Sequence, residues 1–280
     1  MRKLSWLVII CSLFFACRAW SKELVIMGNE GDSDLPIKVL RLALDRADIG
    51  YRYYGQNVTV SKLMADINSG DLDIIWQMTS AQAEQDFAPI YFPVYRGTLG
   101  MRLAITKRSN AQLFDGVRNL ADLKRFKAGQ GKGWADTLIL EGNGLDVVQS
   151  HKYENLFHML EGERFDYFPR GLFEPWGEVE RFADLDLVVE PNIMIHYVAP
   201  LYFFVRKGEE QLAQTIYLQL EKMTQSGEYE RLFFADENVK NSLNLSNLSK
   251  RTVIKLDNPS LSQNTPLEKA DFWFNPREQN

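Results

Sequence analysis

The stretch Gln130-Gly131-Lys132-Gly133-Trp134 sets two glycines, a lysine and an aromatic ring just ahead of a helix expected from Ala135. Glycines let backbone amides approach a ligand, and a helix N-terminus favours an anionic oxygen, which Lys132 would reinforce. This is not a P-loop, because Gly133 stands where Ser or Thr should follow the lysine. An ordinary glycine-rich turn would use the same residues. Arg170 lies just beyond a strand expected at Phe165-Asp166-Tyr167-Phe168, where a guanidinium could grip a carboxylate or phosphate through paired hydrogen bonds. A salt bridge to Glu174 or Glu178 is the competing use of that charge. Asn29 and Glu30 follow the first expected strand, and Trp76, Gln77 and Thr79 occupy the same edge of the third. Parallel sheets place ligand contacts at that carboxyl edge. Trp76 would either stack on a flat ligand or fill the core. Tyr95, and Arg96 as a hinge or cleft charge, are weaker candidates.

Catalytic signatures are sparse. His151, His158 and His196 lack metal-ligand spacing, and neither G-x-S-x-G nor H-E-x-x-H occurs. No metal or cofactor is expected. Carboxylates are numerous, but sequence alone pairs none of them.

The elements that would carry these residues alternate. Leu24-Val25-Ile26-Met27-Gly28, Tyr51-Arg52-Tyr53-Tyr54 and Leu72 to Met78 read as strands. Between them lie a helix with Pro36 in its first turn and a shorter one capped by Ser61 and stopped by Gly70. This order implies a parallel sheet with helices packed against it. Leu99 to Thr106 opens a second α/β unit. It continues through Asn119 to Phe126, the glycine-rich turn, helices from Ala135 and Tyr153, and strands at Leu185 to Val189 and Tyr197 to Val205. A last long helix runs from Glu210 to Ser226. Residues 236–280 are rich in Asn, Ser and Pro, yet Val253-Ile254-Lys255-Leu256 and Phe272-Trp273-Phe274 carry too much apolar surface to float, so the tail should dock.

Composition closes off several classes. The 280 residues are 45% apolar and 25% charged, with 32 bases against 37 acids, so neither disorder nor a general nucleic-acid binder fits. Arg2 and Lys3 precede an apolar run from Leu4 to Ala16, too short to span a bilayer comfortably but suited to a secretory leader. Ala19 and Ser21 favour cleavage after Ser21. Leu13-Phe14-Phe15-Ala16-Cys17 is a loose lipoprotein box and a less favoured alternative. Loss of residues 1–21 removes three bases and both cysteines, leaving 29 bases, 37 acids and a net charge of −8. No disulfide or cysteine nucleophile would remain.

Several segments resemble the bacterial periplasmic solute-binding proteins of family 3, the polar amino-acid-binding type. They are Gly70-Asp71-Leu72-Asp73-Ile74-Ile75 with Thr79, Asp86-Phe87-Ala88-Pro89-Ile90-Tyr91, Asn119-Leu120-Ala121-Asp122-Leu123, Gln130-Gly131-Lys132-Gly133, Gly162 to Phe168, and Gly227-Glu228-Tyr229. The resemblance covers residues 22–235. It implies the type II periplasmic binding protein fold: two α/β lobes, each a mostly parallel sheet flanked by helices, joined by two strands. Lobe one would comprise residues 22–95 and 202–280, including the tail, and lobe two residues 98–199. Hinges would fall at Tyr95-Arg96-Gly97 and Tyr197-Val198-Ala199-Pro200-Leu201. A ligand would sit between lobes that close over it.

Two departures bear on that ligand. Family members that bind amino acids place an arginine near Thr79-Ser80-Ala81-Gln82-Ala83-Glu84 to clamp a carboxylate, and none is present here. They also place an aspartate after the lobe-two strand, where this chain has Pro169-Arg170-Gly171. The resemblance therefore implies a monomeric, non-enzymatic periplasmic protein that captures a small polar solute, an anion included, for an ABC-type transporter or a membrane sensor. The alternative is an enzyme on the same fold, as in the cyclohexadienyl dehydratases, with Glu30 or Glu174 as general acid or base.

Overall fold

The computed structural model describes residues 23–275 except Asn57; the leader and Cys17 lie outside the described residues. The chain first builds one sheet. β1 (Leu24–Ile26) leads into α1 (Leu35–Arg46), whose second residue, Pro36, has no amide hydrogen to leave unpaired. After β2 (Tyr51–Tyr53), α2 (Val60–Ser69) is capped by Thr59 rather than Ser61. The Thr59 side chain accepts from the Lys62 amide, while Ser61 already lies inside the first turn. Gly70 ends α2 at φ +85°. β3 (Ile74–Met78), α3 (Ala81–Asp86) and β4 (Phe87–Ile90) follow. Pro89 is tolerated in β4 because that strand lies at the sheet edge.

The chain then crosses to a second sheet through β5 (Met101–Lys107). Next come α4 (Leu120–Leu123), β6 (Lys127–Gly131), α5 (Ala135–Gly142), β7 (Asp146–Ser150), α6 (Tyr153–Glu161), β8 (Phe168–Gly171), α7 (Pro175–Arg181), β9 (Leu187–Val189) and β10 (Ile193–His196). The expected continuous strand from Tyr197 to Val205 is instead interrupted. Residues 197–200 cross back, and β11 (Leu201–Arg206) joins the first sheet. α8 (Glu210–Gln225), α9 (Glu228–Ala235) and α10 (Glu237–Ser246) then pack there, before β12 (Thr252–Lys255).

The first sheet has the order β2-β1-β3-β11-β4, and the second β12-β10-β5-β8 with β9 paired to β5; β6 and β7 form a two-stranded sheet beside β8. Parallel pairing holds for β1 with β2 and β3, for β6 with β7 and for β10 with β12. The crossing strands β5 and β11 pair antiparallel with their neighbours, apart from which each sheet is as parallel as expected. They enter from the other body, so they reach their sheets from the opposite end.

The tail departs from expectation. It docks, but not on the first lobe alone: β12 extends the second sheet, where Ile254 and Leu256 enter the core of that lobe. Val239, Leu243, Phe272 and Phe274 pack with lobe one. The apolar core itself runs beneath the crossings, since Met101, Leu103 and Met194 cluster with Phe92, Val94 and Phe272. Among the described residues, no helix is long and apolar enough to cross a membrane.

Candidate functional site

In lobe one the candidates sit at the carboxyl ends of β1 and β3. Gly28 holds φ +108°, and a Cβ there would meet Ile37 Cδ1 at 2.5 Å. This turn brings the Asn29 amide to donate to Asp32 Oδ2 at 2.7 Å, while Glu30 stays exposed. Trp76 is half-buried and meets Phe203 edge-on at 6.2 Å, and Gln77 pairs with Tyr202 of β11. Thr79 is buried: its amide donates to Pro200 O at 2.9 Å and its hydroxyl to Glu84 Oε1 at 2.7 Å. Tyr91 donates to the other Glu84 oxygen at 2.9 Å. Ser80 caps α3, accepting from the Ala83 amide.

In lobe two the candidates gather at the ends of β6 and β8. The glycine-rich stretch is strand as far as Gly131, not turn, because rings occupy the space a side chain would need. A Cβ would sit 2.2 Å from the Phe165 ring at Gly129 and 2.1 Å from Trp134 at Gly131. The turn is confined to Lys132 and Gly133, the latter at φ +82° in open space. Lys132 is exposed and its amide donates to Ser150 O. Gln130 is fully buried; its Nε2 donates to Pro169 O at 3.2 Å and its Oε1 has no partner. Trp134 stacks on Phe168 at 6.3 Å and flanks Arg170 at 5.3 Å.

Arg170 lies within β8, paired with Leu103, rather than beyond the strand. Its Nε donates to both Glu178 oxygens at 2.8 and 2.9 Å, and its Nη2 to Glu174 at 2.6 Å. The salt-bridge alternative is therefore what the geometry shows, with both glutamates engaged at once. Tyr153 also donates to Glu178, at 2.6 Å. A second guanidinium, Arg102 of β5, pairs with Asp136 at 2.6 Å and approaches Glu174 at 3.7 Å. Tyr197 donates to the same Asp136 oxygen. Burial opposes the charge of Arg102, but Asp136, Tyr197 and Glu174 outweigh it and hold the group firmly protonated. Arg170 is raised likewise, burial being overcome by Glu174 and Glu178. Burial pushes the Tyr197 and Tyr153 hydroxyls well up, so both remain neutral donors. Two cations thus face three carboxylates: Arg170 is engaged through Nε and Nη2 and Arg102 through Nη2, while the buried Arg102 Nε has no hydrogen-bond partner.

Arg102 and Asp136 escaped the sequence reading, and Tyr197 entered it only as a hinge residue. The available signal was an arginine inside the apolar strand Met101-Arg102-Leu103, since such a charge is rarely buried unless paired.

The two edges meet around a cavity of about 290 Å³. Its walls are Met78 to Gln82 from lobe one, Gly133, Ala135, Leu138 and Ile139 from lobe two, and Asn258 and Ser260 from the tail. Thr79 and Gly133 are the sequence candidates it brings together. Asn29, Glu30, Trp76, Gln77, Gln130, Lys132, Trp134 and Arg170 do not line it. None of its lining side chains is ionisable. A larger hollow, about 580 Å³, lies where tail residues meet the α8–α9 corner beside Arg96, and it contains none of the lobe-two candidates.

Known proteins share this architecture. The structure superposes on an amino acid ABC transporter substrate-binding protein, AbpA, from Streptococcus pneumoniae bound to L-arginine (TM-score 0.52, 16% identity, covering 79% of this chain and 95% of that one). It also superposes on the BvgS VFT2 domain of Bordetella pertussis (TM-score 0.57, 14% identity, 77% and 92%). A third likeness is to a histidine kinase sensor domain with similarity to periplasmic binding proteins (TM-score 0.53, 16% identity, 77% and 96%). At these identities the likeness is one of fold. No curated protein sequence matches the chain. The model of the bacterial extracellular solute-binding proteins, family 3, matches residues 39–234, most of the chain. The chain belongs to that family.

Proposed function

We propose that the chain is a periplasmic receptor that captures a small polar solute between its lobes, holding an uncharged hydrogen-bonding part of it in the interlobe cavity. The observation that carries this reading is the cavity itself, lined from both lobes by Thr79, Ser80, Gln82 and backbone around Gly133, without an ionisable side chain. A charge placed there would lose its hydration without gaining a counter-charge. At about 290 Å³ the space suits a small molecule or one end of a larger one. The anion option loses Arg170 to Glu174 and Glu178 and retains Lys132, next in sequence to Gly133, together with the N-terminus of α5, which no side chain caps. Capture would serve a membrane transporter or a membrane sensor; relatives of both kinds share the fold.

The test is thermal unfolding of the leaderless chain in the presence of the twenty L-amino acids, their amides, common monosaccharides, urea, phosphate and dicarboxylates. A ligand at 100 times its Kd stabilises by about 2.7 kcal/mol, which raises the midpoint of a chain this size by roughly 5–10 °C. The expected result is such a shift with one or more neutral polar solutes, accompanied by a smaller radius of gyration in X-ray scattering. Shifts confined to the anions would replace the uncharged reading with the Lys132 one. An unmoved midpoint across the whole panel would remove solute capture.

A further inference from the structure

The tail lies beyond the family match, which ends at residue 234. Yet two of its side chains, Asn258 and Ser260, stand in the wall of the interlobe cavity. We infer that the tail segment Asp257–Ser260 is a third wall of the solute site, with Asn258 and Ser260 contacting the bound molecule. This rests on the solute-capture reading and adds to it a contact surface supplied by the tail.

Three anchorages make the segment a fixed wall rather than a passing loop. The first is to lobe two: the Asp257 amide donates to Asn143 Oδ1 at 3.0 Å, Asn143 Nδ2 returns a bond to Asp257 O at 2.7 Å, and Pro259 lies against Gly142. These contacts hold the segment to the C-terminal end of α5, the helix whose first turn also lines the cavity. The second is to the crossing: Asn258 Nδ2 donates to Val198 O at 2.8 Å, and the Leu256 amide to His196 O at 2.9 Å. The third is to lobe one, where Asn264 Nδ2 donates to the Tyr91 hydroxyl at 3.0 Å. Tyr91 holds Glu84, and Glu84 accepts from Thr79 in the opposite wall. Within the segment, the Ser260 amide donates to Asn258 Oδ1 at 2.9 Å, which fixes the asparagine side chain. A half-buried hydroxyl beside a rigid amide is the pair of groups a polar solute can use without ordering the protein first.

The tail therefore touches every part that must move when the lobes close. Opening them would separate Thr79 from Gly133; Asp257–Ser260 would travel with α5 and the crossing, so the Asn264–Tyr91 bond or the intervening residues 261–263 would have to yield. A solute bridging Thr79 and Ser260 would be held by lobe one and tail together.

The deciding experiment titrates the leaderless chain by calorimetry with the neutral solutes named above, L-glutamine and glucose among them, alongside Ser260→Trp and Leu267→Trp. Ser260→Trp fills the cavity from the tail side, and Leu267→Trp makes an equally large change at an exposed tail position outside it. Loss of affinity by at least tenfold in Ser260→Trp, with Leu267→Trp binding as the parent, is the expected result. Should Ser260→Trp unfold, Ser260→Val removes the hydroxyl at nearly constant size, with a three- to tenfold loss expected. Parental affinity in a folded Ser260 variant would overturn the third wall and leave solute capture standing. A parent that binds nothing in the panel would overturn both.

Discussion

The two edges that face each other across the cleft are built by opposite means. In lobe one, Trp76, Thr79 and Ser80 are positioned by apolar packing and by hydrogen bonds from neutral donors: Phe203 behind Trp76, the Glu84 carboxylate beneath Thr79, and Ile74 fully buried in the same strand. In lobe two, the corresponding positions rest on a buried lattice of charge, with Arg102 and Arg170 interleaved among Asp136, Glu174 and Glu178. A charge in a candidate binding site is informative only if it is unpaired. Arg170 looks in sequence like an anion clamp, but its Nε and Nη2 are already engaged by Glu174 and Glu178. The neutral groups of lobe one are better placed to meet a solute.

The sharpest way to break this contrast is to remove Arg170. Arg170→Met strands the nearly buried Glu178 and should cost about 3–5 kcal/mol, read as a large fall in the unfolding midpoint. Adding Glu178→Leu should recover much of that loss, because two apolar groups replace a pair whose desolvation offsets its attraction. A stable Arg170→Met with impaired anion binding would reverse the assignment and make Arg170 a ligand contact.

On the other edge the expected effects are smaller and separate differently. Ile74→Val removes one methylene from a fully buried site and should cost about 0.5–1.5 kcal/mol with binding intact. Thr79→Val deletes the bond to Glu84 and should cost about 1 kcal/mol, yet it alters the cavity wall and should weaken solute binding disproportionately. Comparing affinity with stability for Thr79→Val and Arg170→Met measures the asymmetry directly. Equal ratios would erase it.

Strand and helix identities at the start of each lobe were legible because their period and caps are local: Leu24 to Ile26, the Pro36 helix and the Gly70 stop all stand where expected. The crossings at Tyr95-Arg96-Gly97 and Tyr197 to Pro200 were reached through family resemblance, and the two sheets do exchange strands at those points. Sequence could not show what is made by contact across distance. The pairing of Arg170 with Glu178 is eight residues apart and was at least a visible option, whereas Arg102 with Asp136 depends on bringing β5 to the first turn of α5. The glycines of β6 read as a turn because a glycine that yields space to Phe165 or Trp134 looks in sequence like one that bends the chain. The tail had a polar composition that concealed a four-residue strand, and its partner β10 lies more than fifty residues earlier.

The last and smallest effect belongs to the seam where tail, crossing and lobe two meet. His196 ends β10 opposite Lys255 of β12. Burial, and then the Lys255 charge, lower its pKa from the ordinary 6.5. Below pH 6.5 the unfolded chain therefore takes up a proton that the folded chain resists, so stability falls as the pH drops towards the folded pKa and is fully present above 6.5. The unfolding midpoint should be flat above neutrality and begin to decline as the pH falls below 6.5, ahead of the carboxylates. His196→Gln should flatten that decline by a small but measurable amount while leaving the midpoint at pH 8 nearly unchanged. Superimposable profiles for parent and variant would show that protonated His196 is accommodated at no cost. The contact between β10 and the tail would then be looser than the burial of His196 implies, and the contrast between a lobe-one edge held by neutral donors and a charge-sensitive lobe-two body would have to rest on Arg102 and Arg170 alone.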